Sequence, residues 1–89
     1  MDEILSNVTN EEIQEHYKRI GSYVKQQREL HQISQLQMAL AIGIKSVAFY
    51  SNCENCKNDK HFNIEHIYKT CKILDISLND FYSNTEKLN

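Results

Sequence analysis

Apolar residues recur along this chain in short helical stripes broken by polar capping residues. Ile13, Tyr17, Ile20 and Val24 follow one another at steps of four, three and four residues, the period of one helix face. Thr9-Asn10-Glu11-Glu12 ahead of them has the form of a capping box, with Thr9 at the N-cap and Glu12 reaching back to its amide. The spacing predicts a helix from about residue 10 to 31, with an interruption allowed near Arg19–Gly21. Between Ser34 and Glu54 come two further apolar-periodic segments separated by IGIK. In the first, Ser34 caps, Gln35 takes the first helical position, and Leu36, Ala39 and Leu40, with Met38 and Ile42, supply the apolar face. Gly43 ends it as a left-handed residue. In the second, Ser46 caps a helix from Val47 to about Glu54 whose inward positions are Tyr50 and Cys53. A polar loop, NCKNDKH, follows. Asn63 then caps a fourth helix with Ile64, Ile67, Tyr68, Cys71 and Leu74 on one side. Ser77-Leu78-Asn79-Asp80 opens a short fifth helix with Phe81 facing inward, and SNTEKLN reads as a polar tail that frays. In residues 1–8, Ile4, Leu5 and Val8 could make one apolar turn.

Composition agrees with helices. The chain has 89 residues, enough for one domain, with no Pro and only Gly21 and Gly43, so turn-rich β-architectures lose ground. No apolar run approaches the length of a membrane span. The acidic start MDEILSNVTNEE is the opposite of a signal peptide, which points to the cytoplasm and to reduced Cys53, Cys56 and Cys71.

Net charge is −2, with a pI near 6.0, which taken whole argues against a nucleic-acid partner. Taken by segment it does not. Residues 1–16 hold Asp2, Glu3, Glu11, Glu12 and Glu15 and no base. Residues 17–60 carry seven bases against Glu29, Glu54 and Asp59, and residues 61–89 are close to balanced. The basic charge is thus concentrated around Ser34–Glu54.

The order of parts over roughly residues 17–82 resembles the Cro and phage-repressor (XRE-type) helix-turn-helix family. Ile20-Gly21, Val24, Arg28 and Ile33-Ser34-Gln35 are similar to its first helix and the "SQ" that opens its second. Met38-Ala39 and Ile42-Gly43 are similar to its "LA…LG" core. Asn63-Ile64, Ile67, Cys71, Leu74, Ile76-Ser77-Leu78 and Phe81 are similar to its closing two helices. The chain departs from the pattern at Gln27, where an aliphatic residue is usual, and in helix 3. Aligned without a gap, the family's buried aliphatic position falls on Asn52 and its Glu on Cys53. One extra residue in the IGIK turn moves these roles to Cys53 and Glu54, which avoids burying an unpaired amide at a cost of about 1–3 kcal/mol.

The resemblance implies an all-α, compact five-helix, lambda-repressor-like domain at 17–82, with a helical N-terminal extension at 1–16 and a polar tail at 83–89. It implies an ion pair between Arg28 and Glu54 that fixes helix 3 against helix 1, with Arg28 free to lean toward a phosphate. It also implies a double-stranded DNA partner, with helix 3 in the major groove and a homodimer on a palindromic site. In the gapped register Val47, Ala48, Ser51 and Asn52 face the bases. Gln35 sits at the backbone or reaches a base, and Lys45, Ser46, Lys57 and Lys60 hold phosphates. Candidate dimer surfaces are Leu78, Phe81 and Tyr82 of the last helix, and the acidic leader.

Two other chemistries deserve weighing. Cys53-Glu54-Asn55-Cys56 is a CxxC with His61, His66 and Cys71 downstream, but Cys53 and Cys71 fall on inward helix faces, leaving too few ligands for tetrahedral zinc. A CxxC at the C-terminal end of a helix is also badly placed for a thiolate. Neither metal nor cofactor is expected. No Ser/His/Asp set, carboxylate pair or Gly-rich phosphate loop appears, so an enzyme is not expected; what the resemblance implies is a transcriptional regulator, a repressor by type. The competing expectation is a protein-interaction module on the same fold, such as an antitoxin that sequesters a small partner protein through residues 1–16.

Overall fold

A computed structural model describes residues 7–87; the expected turn at Ile4 and Leu5, and the last two residues of the tail, lie outside them. Among the described residues there are five helices and no strand. They are α1 (Asn10–Leu30), α2 (Gln35–Ala41), α3 (Val47–Asn55), α4 (Ile64–Leu74) and α5 (Leu78–Lys87). No helix among them is long and apolar enough to cross a membrane.

The helix starts obey local capping chemistry. The Thr9 hydroxyl accepts from the Glu12 amide at 3.1 Å, and the Glu12 carboxylate accepts from the Thr9 amide at 3.0 Å. Ser34 and Gln37 form the same reciprocal pair at the head of α2, and Asn63 and His66 form it on α4. Ser46 Oγ accepts from the Phe49 amide, and Ser77 Oγ from that of Asp80. Each satisfies amides that the first turn leaves without a helical partner. Gly43 ends α2 with φ of +83°, the left-handed conformation expected of it.

α1 is unbroken through Arg19–Gly21, although a mid-helix glycine costs about 1 kcal/mol against alanine. Its reason lies in packing. A Cβ on Gly21 would stand inside contact distance of the Glu54 carbonyl oxygen and 3.1 Å from that of Cys53. The glycine is what lets α1 lie directly on the end of α3, the helix it packs against most closely.

The core gathers Ile20, Tyr23 and Val24 of α1, Met38, Ala39 and Ile42 at α2, and Tyr50 and Cys53 of α3. Ile44, Phe62, Ile67, Cys71, Leu74 and Phe81 complete it. Tyr23 meets Phe81 edge to face with centroids 5.1 Å apart.

Several expected inward residues are not inward. In α2 the buried set is Met38, Ala39 and Ile42, while Leu36 and Leu40 are 53% and 64% exposed. The burying face of this seven-residue helix is rotated from the one the sequence suggested. Ile64 is 83% exposed, because it occupies the first position of α4, beyond the edge of the core. Ile13 and Tyr68 are also exposed. Residues 83–87 do not fray: they continue α5 to Lys87, and Thr85 is buried there with its hydroxyl donating to the Tyr82 carbonyl at 3.0 Å. The expected extension at 10–16 is the continuous start of α1.

Candidate nucleic-acid interface

The position of α3 is set by one buried carboxylate. Glu54 is 3% exposed, and four donors meet its two oxygens. Arg28 Nε and the Tyr50 hydroxyl each donate to Oε2 at 2.7 Å. Arg28 Nη2 and Gln35 Nε2 donate to Oε1 at 3.3 and 3.1 Å. Arg28 Nη1 donates in turn to the Ile33 carbonyl at 2.8 Å. The cluster joins α1, the head of α2 and the end of α3, so it fixes the angle between the two short helices. The hydrogen bond to Glu54 raises the Arg28 pKa, against the opposing effect of burial. Burial, and then the hydrogen bond to Glu54, hold the Tyr50 phenol well above its ordinary range. Both groups keep their protons and stay donors.

The Arg28–Glu54 pair is therefore present, and the register with Tyr50, Cys53 and Glu54 inward is the one the fold adopts. Two expectations about the site change. Arg28 is buried with Nε, Nη1 and Nη2 all engaged, so it does not lean out toward a phosphate. Gln35 is half-buried and spends its amide nitrogen on Glu54, so it serves the hinge between helices more directly than an external ligand.

With its inner side locked, α3 turns the opposite side to solvent. Ala48 is exposed there, and Ser51 and Asn52 are half-buried, while Val47, on the same ridge as Tyr50 and Glu54, is 44% exposed because it is the first residue of the helix. Ala48 and Asn52, four residues apart, form the centre of this face. Asn55 Nδ2 donates to the Ser51 carbonyl at 3.0 Å and lies 3.4 Å from its hydroxyl. The Asn52 amide meets no hydrogen-bond partner among the described residues. Lys45 and Ser46 are exposed just before the helix, and Lys57 and Lys60 are exposed in the loop after it. The Ser46 hydroxyl is the N-cap acceptor, which leaves its proton available to an outside acceptor.

The loop after α3 folds back tightly. Cys56, Asn58 and Asp59 all have positive φ, and Lys57 N–H donates to the Asn52 carbonyl at 3.0 Å. This return brings Lys60 Nζ to 5.6 Å from the centroid of the Phe49 ring. Lys60 thus stands beside the first half of α3, not beyond its end. Phe49, 38% exposed, belongs to the same surface and was not foreseen. Its position one residue from Ala48 was the available signal, but the lysine that covers it comes from outside the helix.

The cysteines fall where helix periodicity puts them. Cys53 and Cys71 are buried, and Cys56 is half-buried with its Sγ 3.8 Å from the Cys53 carbonyl it donates to. Burial pushes all three thiols up, Cys53 to about 11. His61 is stacked on Tyr17 with centroids 3.6 Å apart, and His66 caps α4. Among the described residues no three His, Cys, Asp or Glu side chains gather to hold a metal ion.

Comparison with family models, curated proteins and solved structures returned no match.

Proposed function

We propose that this chain is a sequence-specific double-stranded DNA-binding regulator of the Cro and phage-repressor helix-turn-helix type, acting as a repressor, with α3 in the major groove. The observation that carries the reading is the locked inner side of α3. Four donors on Glu54 hold the helix by one face and leave Ala48, Ser51 and Asn52 on the other, with Val47 exposed at the helix's first position. A major groove accepts one α-helix, and a rigidly held one loses little entropy on entering it. Asn52 offers a free amide for bidentate contact with adenine, and Val47 and Ala48 suit a thymine methyl group. Lys45, Lys57 and Lys60 lie on either side of that face and supply phosphate contacts, which position the domain without reading sequence.

The face has no arginine, so discrimination among sites is modest and draws on DNA shape as well as base edges. A single domain of this size covers little duplex, and two copies related by a two-fold axis on a palindromic site bring affinity into the specific range. Phe81 is buried and is removed from the candidate dimer contacts. The test is selection of bound sequences from a random duplex pool. A palindromic consensus supports both DNA reading and dimerisation. No enrichment at low salt overturns the proposal.

A further inference from the structure

Phe49 is a large apolar side chain left exposed on α3, one residue from Ala48 and so about 100° round the helix from it. Its ring is not idle, because Lys60 Nζ stands over it at 5.6 Å from the centroid. The loop after α3 brings the cation there. Asn58 and Asp59, with φ of +56° and +57°, make a tight reversal that the Lys60 N–H closes on the Lys57 carbonyl at 3.0 Å. The two residues after Lys60 are then pinned by rings. His61 stacks on Tyr17 with 9° between the planes, and the buried Phe62 ring lies 5.4 Å from that of Tyr50.

Lys60 is therefore fixed in its backbone on both sides and held in its side chain by Phe49. Lys45 and Lys57 are exposed and lie over no ring among the described residues. Nor does the Lys60 ammonium form an ion pair there, so its three N–H donors stay open to an outside acceptor while the ring face attracts only its charge. Phe49 also walls a cavity of about 430 Å³ with Lys45 and Ser46 of the turn before α3 and Asn63 and His66 of α4. Lys60, from beyond the C-terminal end of α3, thus shares a flank with Lys45 and Ser46 from before its N-terminal end. A freely rotating lysine must be ordered when it meets a phosphate, and holding it beforehand removes that cost. We propose that Phe49 is a positioning residue: its ring pre-orders Lys60 for a backbone phosphate and itself reads no base. The inference rests on the proposed DNA reading of α3.

The test combines the free protein with duplex binding. In the full chain without DNA, ring current should move the Lys60 Hε proton resonances upfield of those of Lys57, and Phe49→Leu should abolish the difference. Leucine keeps an apolar contact and a good helix former at this site, and far-UV circular dichroism verifies the fold. Ordering one long side chain costs about two- to tenfold in affinity, so Phe49→Leu should weaken a dimer by at least about fivefold. The loss should be equal on the selected and a random duplex, because a phosphate contact carries no sequence. Phe49→Tyr, which keeps the ring, should restore binding. Lys60→Gln should make the salt slope shallower by about 1.8 for two lost contacts, and adding Phe49→Leu to it should cost nothing more. Additive losses, a loss confined to the selected duplex, no recovery with tyrosine, or no upfield shift each overturns the inference and leaves the DNA reading standing. A parent chain that binds no duplex overturns both.

Discussion

A carboxylate as buried as that of Glu54 is tolerable only while its partners remain, and this makes the residue a sensitive point of the molecule. Arg28 supplies two of the four donors and the compensating charge. Breaking a buried pair by removing one partner costs about 3–5 kcal/mol, most of it the penalty of an uncompensated buried charge. Arg28→Met should therefore destabilise by that order, and Glu54→Leu should cost less once Arg28→Met is also present. In a double-mutant cycle read by urea denaturation, we expect a coupling above about 1 kcal/mol; additive effects would mean that the pair holds nothing in place. Gly21 is a second sensitive point, for a steric reason. Alanine gains about 1 kcal/mol in helix propensity at such a site. That gain is smaller than the overpacking cost of about 1–3 kcal/mol against a backbone carbonyl that cannot swing aside. Gly21→Ala should lower the melting temperature, and an unchanged or raised value would show that α1 and α3 can separate slightly at no cost.

At the scale of the helices, what could be read from the sequence was what is decided within four residues. Thr9, Ser34, Ser46 and Asn63 each cap the helix expected of them, because a cap is a contact between a side chain and an amide two or three positions ahead. Long stripes were legible too: in α1 and α4 the buried Ile20, Val24, Ile67, Cys71 and Leu74 lie where periodicity put them. α2 was not, since seven residues hold apolar side chains on more than one face. Only packing against α3 and α4 decides for Met38 and Ala39 over Leu36 and Leu40. The capture of the Gln35 amide by Glu54, nineteen residues away, is tertiary and has no local trace. The outward face of α3 yields a prediction of its own. Asn52 is half-buried with no role in the Glu54 cluster, so Asn52→Ala should leave stability nearly unchanged. If its amide reads an adenine bidentately, affinity for the selected duplex should fall by about 1–3 kcal/mol, with little change for a random one. Equal loss on both duplexes would remove Asn52 from base reading.

Over the whole molecule, charge and burial make two separate demands on solution conditions. Lys45, Lys57 and Lys60 are exposed before and after α3, so a duplex can meet them while the net charge stays negative. Three lysine–phosphate contacts per protomer, six per dimer, would give a log–log slope of binding against salt of about −5.4, and a slope near zero would be incompatible with the proposed contacts. Stability responds to a different variable. The Cys53 thiol is pushed up to about 11 by burial, and the Cys56 and Cys71 thiols are raised by the same cause. In the unfolded chain each ionises at about 8.5. Below that pH both states keep the proton, and the thiols contribute no pH dependence. Above it the unfolded chain releases protons that the folded one retains, so stability falls by about 1.4 kcal/mol per pH unit for each proton retained. The fall eases as the folded thiols ionise in turn, for Cys53 near 11. Tyr50, raised by burial and by Glu54, adds to the loss above about pH 10. Urea midpoints measured from pH 7 to 10.5 should hold steady to about pH 8 and then decline with increasing steepness. A flat profile to pH 10.5 would mean that water reaches Cys53 and that the α1–α3 contact is looser than its packing implies.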